Sequence, residues 1–270
     1  MDAEKFITAF ALSTLAGLST GIGSVIALFA KRTSARFLST SLGFSAGVMI
    51  YVSLVEIFPV AKADLSVRFG QANGYWLAAA SFFAGVFIIA IIDKLIPSMD
   101  NPHEMQSVEA IDYPGAMTEY RGLYRTGMFT AAAVAIHNFP EGLATFTSAM
   151  KDLRIGIPIA IAIAIHNIPE GIAVSVPIYY ATGSRKKAFW YSFLSGLVEP
   201  LSGVIGYVIL INVLNSAISS VILAAAGGIM VFISVDELLP AAEKYGKHHY
   251  AVYGFIAGMI TIALSLILFT

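Results

Sequence analysis

Two six-residue stretches carry the residue types from which a chemical site could be built. His137-Asn138-Phe139-Pro140-Glu141-Gly142 and His166-Asn167-Ile168-Pro169-Glu170-Gly171 agree at five of six positions, 29 residues apart. On a helix turning about 100° per residue, His137 and Glu141 lie roughly 40° and one turn apart, and Asn138 falls on the other side of Glu141. A carboxylate flanked in this way can share one metal ion with the imidazole through one oxygen and a second ion with the carboxamide through the other. Glu170 stands in the same relation to His166 and Asn167. Pro140 and Pro169 each lack an N–H, which frees the carbonyls of Ile136 and Ile165, while Gly142 and Gly171 permit close helix approach. Glu199-Pro200 is a third acid beside a helix breaker, and Glu199 is expected to close the second metal position.

Three further acids belong to a second repeat. Gly47-Val48-Met49-Ile50-Tyr51-Val52-Ser53-Leu54-Val55-Glu56-Ile57-Phe58-Pro59 matches Gly228-Ile229-Met230-Val231-Phe232-Ile233-Ser234-Val235-Asp236-Glu237-Leu238-Leu239-Pro240, with Gly, Met, Ser, Glu and Pro recurring at a constant offset of 181. Glu56, Glu237 and Asp236 are expected to serve as entrance and exit carboxylates on a transport path.

The elements that must position these residues are membrane helices. Hydrophobic residues make up 57% of the 270, charged residues 12%, and the mean hydropathy is +0.79, far more apolar surface than a soluble core can hide. Eight stretches reach the roughly 20 apolar residues a span needs: Phe6 to Ala30, Phe37 to Pro59, Trp76 to Pro97, Tyr124 to Ala149, Gly156 to Ala181, Ala188 to Val213, Ile218 to Pro240 and His249 to Phe269. The polar stretch from Ser98 to Leu123 reads as a long loop. The N-terminal run lacks the basic start of a cleaved signal peptide and reads as the first span. Helices two and seven, separated by four spans, cross the membrane in opposite directions. Helices one to three and six to eight thus form an inverted repeat around the central pair, a 3+2+3 arrangement common among secondary transporters. Eleven Lys and Arg flank one side of the membrane and five the other. By the positive-inside rule both termini face outward and the 98–123 loop is cytoplasmic. Residues 1–270 are read as one transmembrane transporter domain.

Within the spans the charges share one sign. A charged group at mid-span costs about 2.5–3.5 kcal/mol on insertion scales, yet Glu56, Glu141, Glu170, Glu199, Asp236 and Glu237 all fall in spans where no Lys or Arg lies deep. Such carboxylates must be protonated, hydrated or bound to a cation, and several of them in one small bundle indicate a cation path. With no cysteine, thiolate ligands and a disulfide framework are excluded.

These motifs resemble those of the ZIP (Zrt/Irt-like) metal transporters, in particular the broad-specificity prokaryotic branch, and the likeness runs over the whole chain. The resemblance implies a first metal position of His137, Glu141, His166 and Glu170 with Met49 as a soft contact, and a second of Asn138, Glu141, Asn167, Glu170 and Glu199. It also implies import into the cytoplasm by an elevator-like motion of one helix group against the other. The chain departs from many family members in having a single histidine, His103, in the 98–123 loop. His248 and His249 read as a solvated surface pair.

Imidazole and oxygen ligands suit zinc, iron(II), cobalt and manganese better than copper(I) or calcium. Because bound His is neutral and bound Glu ionised, metal affinity is expected to fall below about pH 6. The ions are substrate, and no cofactor is expected. Expected partners are the metal ion, the lipid bilayer of the cell (inner) membrane and, as an open alternative, a second copy in a homodimer. A net charge of −1 gives no footprint for nucleic acid. The competing class is an intramembrane dinuclear metalloenzyme, but the chain has no HExxH pattern or phosphate loop to support hydrolysis.

Overall fold

The computed structural model describes residues 3–29, 35–95, 117–210, 217–245 and 248–269, and all of its described elements are helical. In chain order they are α1 (Ala3–Phe29), α2 (Ala35–Val52), α3 (Phe58–Phe69), α4 (Gln71–Leu95), α5 (Met117–Lys151), α6 (Leu153–Thr182), α7 (Arg185–Gly196), α8 (Val198–Leu210), α9 (Ala217–Ile233), α10 (Leu239–Tyr245) and α11 (His248–Phe269). Among the described residues six helices are long and apolar enough to cross a membrane: Ala3–Phe29, Arg36–Phe69, Gln71–Lys94, Leu153–Val176, Ala217–Glu243 and His248–Ile267. The chain is a multi-pass, all-α membrane protein.

Its surface is inverted relative to a soluble protein. Leu15, Phe87 and Leu264 are more than half exposed, while the small polar residues Ser13, Ser24, Ser45 and Ser192 are buried. Lipid solvates the large side chains, and small ones let the helices approach closely. The clearest approaches come in related pairs. A Cβ on Gly142 would strike the carbonyl of Glu199, and one on Gly171 the carbonyl of Thr20. Likewise a Cβ on Gly47 would meet the backbone of Phe255 on α11, and one on Gly228 the backbone of Phe82 on α4.

The 181-residue repeat also has a backbone signature. The chain leaves α2 through a π-helical turn, Ser53–Ile57, and leaves α9 through another, Ser234–Leu238, with Phe58 N–H bonded to Ser53 O and Leu239 N–H to Ser234 O. A π turn holds one residue more than an α turn, and here each precedes the repeat's proline. Pro59 and Pro240, expected to end helices two and seven, instead lie in the first turns of the next helical segments, α3 and α10. Helix two therefore runs on to Phe69.

Two other boundaries differ from expectation. Residues 117–123, expected in the loop, form the first turns of α5, and the rest of that loop, His103 included, lies outside the described residues. The helix expected from Ala188 to Val213 is broken at Leu197 into α7 and α8, because Pro200 in the first turn of α8 cannot donate to the preceding turn. Residues 211–216 lie outside the described set.

A single residue, Asp152, connects α5 to α6, making the central pair an antiparallel hairpin. Its side chain accepts the N–H of Arg154 at 2.9 Å as the N-cap of α6. The hydrogen bonds from the Arg154 side chain and backbone hold the Asp152 carboxyl below the usual carboxylate range. At the same end of α5, Lys151 Nζ lies 3.2 Å from Asp64 of α3, which also binds Arg68 at 2.9 Å and accepts from Ser220 of α9 at 2.6 Å. Around the hairpin pack α1, α7 and α8; a second group pairs α2 with α11 and α4 with α9.

Candidate metal site

The two duplicated motifs meet inside the hairpin. Among the described residues one group of His and acidic side chains could hold a metal ion: Glu141, His166 and Glu170, each offering a ligand atom within 4.8 Å of the others. Glu141 and His166 are fully buried and Glu170 is 2% exposed. His166 Nε2 lies 3.1 Å from Glu141 Oε1 and 4.0 Å from Glu170 Oε1.

The other ring nitrogen sets the chemistry. His166 Nδ1 lies 3.1 Å from the carbonyl of Ala162, one turn back on α6. A carbonyl can only accept, so Nδ1 carries a hydrogen, and Nε2 faces the two carboxylates. Between that nitrogen and the carboxylates there is a place for a positive charge, as a shared proton or as a bound metal cation. A second ring nitrogen tied to a backbone carbonyl is the usual support of a metal-binding histidine. The Ser45 hydroxyl of α2 donates to the carbonyl of His166 at 3.3 Å, holding this turn of α6 from a second direction.

The asparagines are oriented by their nitrogens. Asn138 Nδ2 donates to the carbonyl of Ser195 at 3.1 Å, and Asn167 Nδ2 to the carbonyl of Ala16 at 2.9 Å. Asn167 Nδ2 also donates to Glu199 Oε1. Both carboxamides are fully buried, and neither Oδ1 has a hydrogen-bond partner among the described residues. With the donors engaged, each carboxamide presents a neutral oxygen that could coordinate a cation. Glu199, fully buried on α8, joins this group through Asn167.

The remaining expected residues divide differently. Although His137 is on α5, its side chain lies outside the described residues. Met49 is fully buried in the core that packs on α6, one turn along α2 from Ser45. Glu56 lies in the first π turn, part-exposed; Glu237, also part-exposed, and exposed Asp236 lie in the second. None of these three belongs to the buried cluster. His248 Nδ1 meets Glu243 Oε1 at 2.6 Å with both side chains exposed, as a solvated surface pair requires. The carbonyls of Ala16, Ala162 and Ser195 and the hydroxyl of Ser45 are not among the residues expected from sequence. A backbone acceptor leaves no trace in residue type, and only the small residues at these positions, which let the chains approach, mark them.

The family described as ZIP Zinc transporter matches residues 98–266. The chain is 60% identical over 266 residues to the zinc transporter ZupT of Streptococcus mutans serotype c, covering 98% of this chain and 99% of that one. It is 57% identical over 279 residues to the zinc transporter ZupT of Clostridium perfringens, with 98% and 97% covered, and 54% identical over 267 residues to that of Chlorobium chlorochromatii, with 99% of each covered.

Proposed function

Because the chain belongs to the ZIP zinc transporter family, a family of transporters rather than enzymes, we propose that it imports zinc into the cytoplasm through the site on α5, α6 and α8. The observation that carries this reading is the buried trio of Glu141, His166 and Glu170, whose ligand atoms all lie within 4.8 Å of one another, close enough to hold a doubly charged ion. Iron(II), manganese and cobalt are proposed as further substrates, since imidazole, carboxamide and carboxylate ligands do not exclude them. His137 and Met49 complete the first metal position, and Asn138, Asn167 and Glu199 the second.

The proposed topology has eight spans arranged 3+2+3, with helix four supplied by α5 and helix six by α7 and α8. Both termini lie outside the cell membrane. Support for this comes from the one-sided distribution of Lys and Arg and from π turns at matching places in the repeat. Alternating access then brings Glu56 into play on the outer side and Asp236 with Glu237 on the inner side.

Zinc uptake into sealed vesicles containing only this protein tests the proposal. Wild-type protein is expected to accumulate zinc, and Glu141→Ala to accumulate none above empty vesicles. Uptake by Glu141→Ala at the wild-type rate would remove the site from the path, and binding without accumulation by the wild type would remove transport.

A further inference from the structure

The function proposed above accounts for the buried acids, imidazole and carboxamides but leaves two groups on the same helix without a role. Thr145 and Ser148 succeed Glu141 on α5 at intervals of four and three residues, so both project within about 40° of the Glu141 direction and lead toward the Lys151 end. Thr145 is fully buried and Ser148 is 3% exposed. Neither hydroxyl has a hydrogen-bond partner among the described residues. Such helical hydroxyls normally bond back to a carbonyl of the preceding turn. Thr147, between them, does so, donating to Leu143 O at 2.7 Å, and Thr182, Ser234 and Thr261 do likewise on other helices. A buried hydroxyl without a partner is a cost to the fold.

The internal repeat sharpens the contrast. The 29-residue offset that carries Glu141 onto Glu170 carries Thr145 onto Val174 and Ser148 onto Pro177. Since α5 and α6 run in opposite directions, the two hydroxyls occupy only one of the two half-paths leading from the site. In the topology above this is the outer half.

From these observations, and resting on the transport function proposed above, the geometry points to Thr145 and Ser148 as transient oxygen ligands for the divalent cation on the outer half of its path to Glu141. A cation entering the seam between helices surrenders water ligands, and each hydroxyl oxygen replaces one of them. Both oxygens are neutral, so they coordinate without holding the ion, as a stepping position must. The anionic site beyond them captures it.

The test uses the full chain in vesicles. The shape-conserving double variant Thr145→Val/Ser148→Ala is expected to slow zinc uptake about tenfold, the effect of losing an oxygen contact to a charged group, while zinc bound per protein at equilibrium stays unchanged. Thr145→Ser, which keeps the oxygen, is expected to keep the wild-type rate. Wild-type uptake by the double variant, with Glu141→Ala inactive, would overturn the role of the hydroxyls and leave the site intact. Wild-type uptake by Glu141→Ala would instead overturn the transport reading.

A second measurement does not depend on the double variant folding. The chain has no cysteine, so Ser148→Cys carries a single thiol. During zinc turnover that thiol is expected to react with a charged, membrane-impermeant thiol reagent added outside, and to be protected by cadmium. Absence of reaction, while Gln71→Cys at the exposed start of α4 is labelled, would overturn the proposal.

Discussion

The two repeats in this chain both place acids within about a turn of a proline, yet they put them in opposite environments. In the central repeat Glu141 and Glu170 are sealed within the hairpin and held beside His166. In the outer repeat Glu56, Asp236 and Glu237 lie in π turns with their side chains at least partly exposed. The difference lies in the residue immediately after each glutamate. Gly142 and Gly171 admit the backbones of α8 and α1 directly over the carboxylates' own turn, whereas Ile57 and Leu238 turn inward and leave the neighbouring acid at the rim. In these two repeats the acid is enclosed where a glycine follows it and lies at the edge where a large apolar residue does.

The largest expected effect comes from removing an enclosed acid. Glu170→Ala is expected to lower zinc flux by about 100-fold or more, since even partners of metal ligands cost about 10–100-fold when lost; vesicle uptake measures it, and a loss no greater than that of Glu56→Ala would erase the distinction between the repeats. Next is Asn167→Ala, which removes the tie to Ala16 and the bond to Glu199 together. It is expected to weaken zinc binding by about tenfold or more, read by equilibrium titration.

The rim acids come third. Glu56→Ala and Glu237→Ala are each expected to slow uptake by a few-fold at most, as losses of partly solvated carboxylates, with zinc occupancy of the central site unchanged. Loss of occupancy in either variant would move that acid into the binding machinery. The smallest effect is expected of Lys151→Ala. Its pairing with Asp64 is part-exposed, so the cost to thermal stability is about 1 kcal/mol or less, measurable by thermal unfolding in detergent at low and high salt.

The central motif was legible because its chemistry lies in side chains. His166, Glu141 and Glu170 could be named from residue type and helical angle alone, and the structure brings them within reach of one ion. Asn167 also donates to Glu199, the acid of the neighbouring α8. What the residues did not reveal depends on the backbone. Pro59 reads as a helix end in sequence, but a single additional residue in the π turn ahead of it lets the chain continue to Phe69. The α5 start at Met117 was hidden because Thr118, Glu119 and Tyr120 are too polar for a span although they are helical. The carbonyl anchors of the two asparagines arise from tertiary approach, to which hydropathy is blind.

The two π turns carry a consequence for how this chain tolerates change in length. A π turn completes its circuit with one residue more than an α turn, so loss of one residue between Ser53 and Ile57 would leave an ordinary turn and keep the helix beyond it, up to Phe69, facing nearly as before. Asp64 would still face Ser220 and Lys151, and Leu65 would stay buried. A one-residue deletion that would turn an ordinary helix by about 100° is absorbed locally at these two turns, so related chains are expected to tolerate one residue fewer there but not in the α-helices on either side.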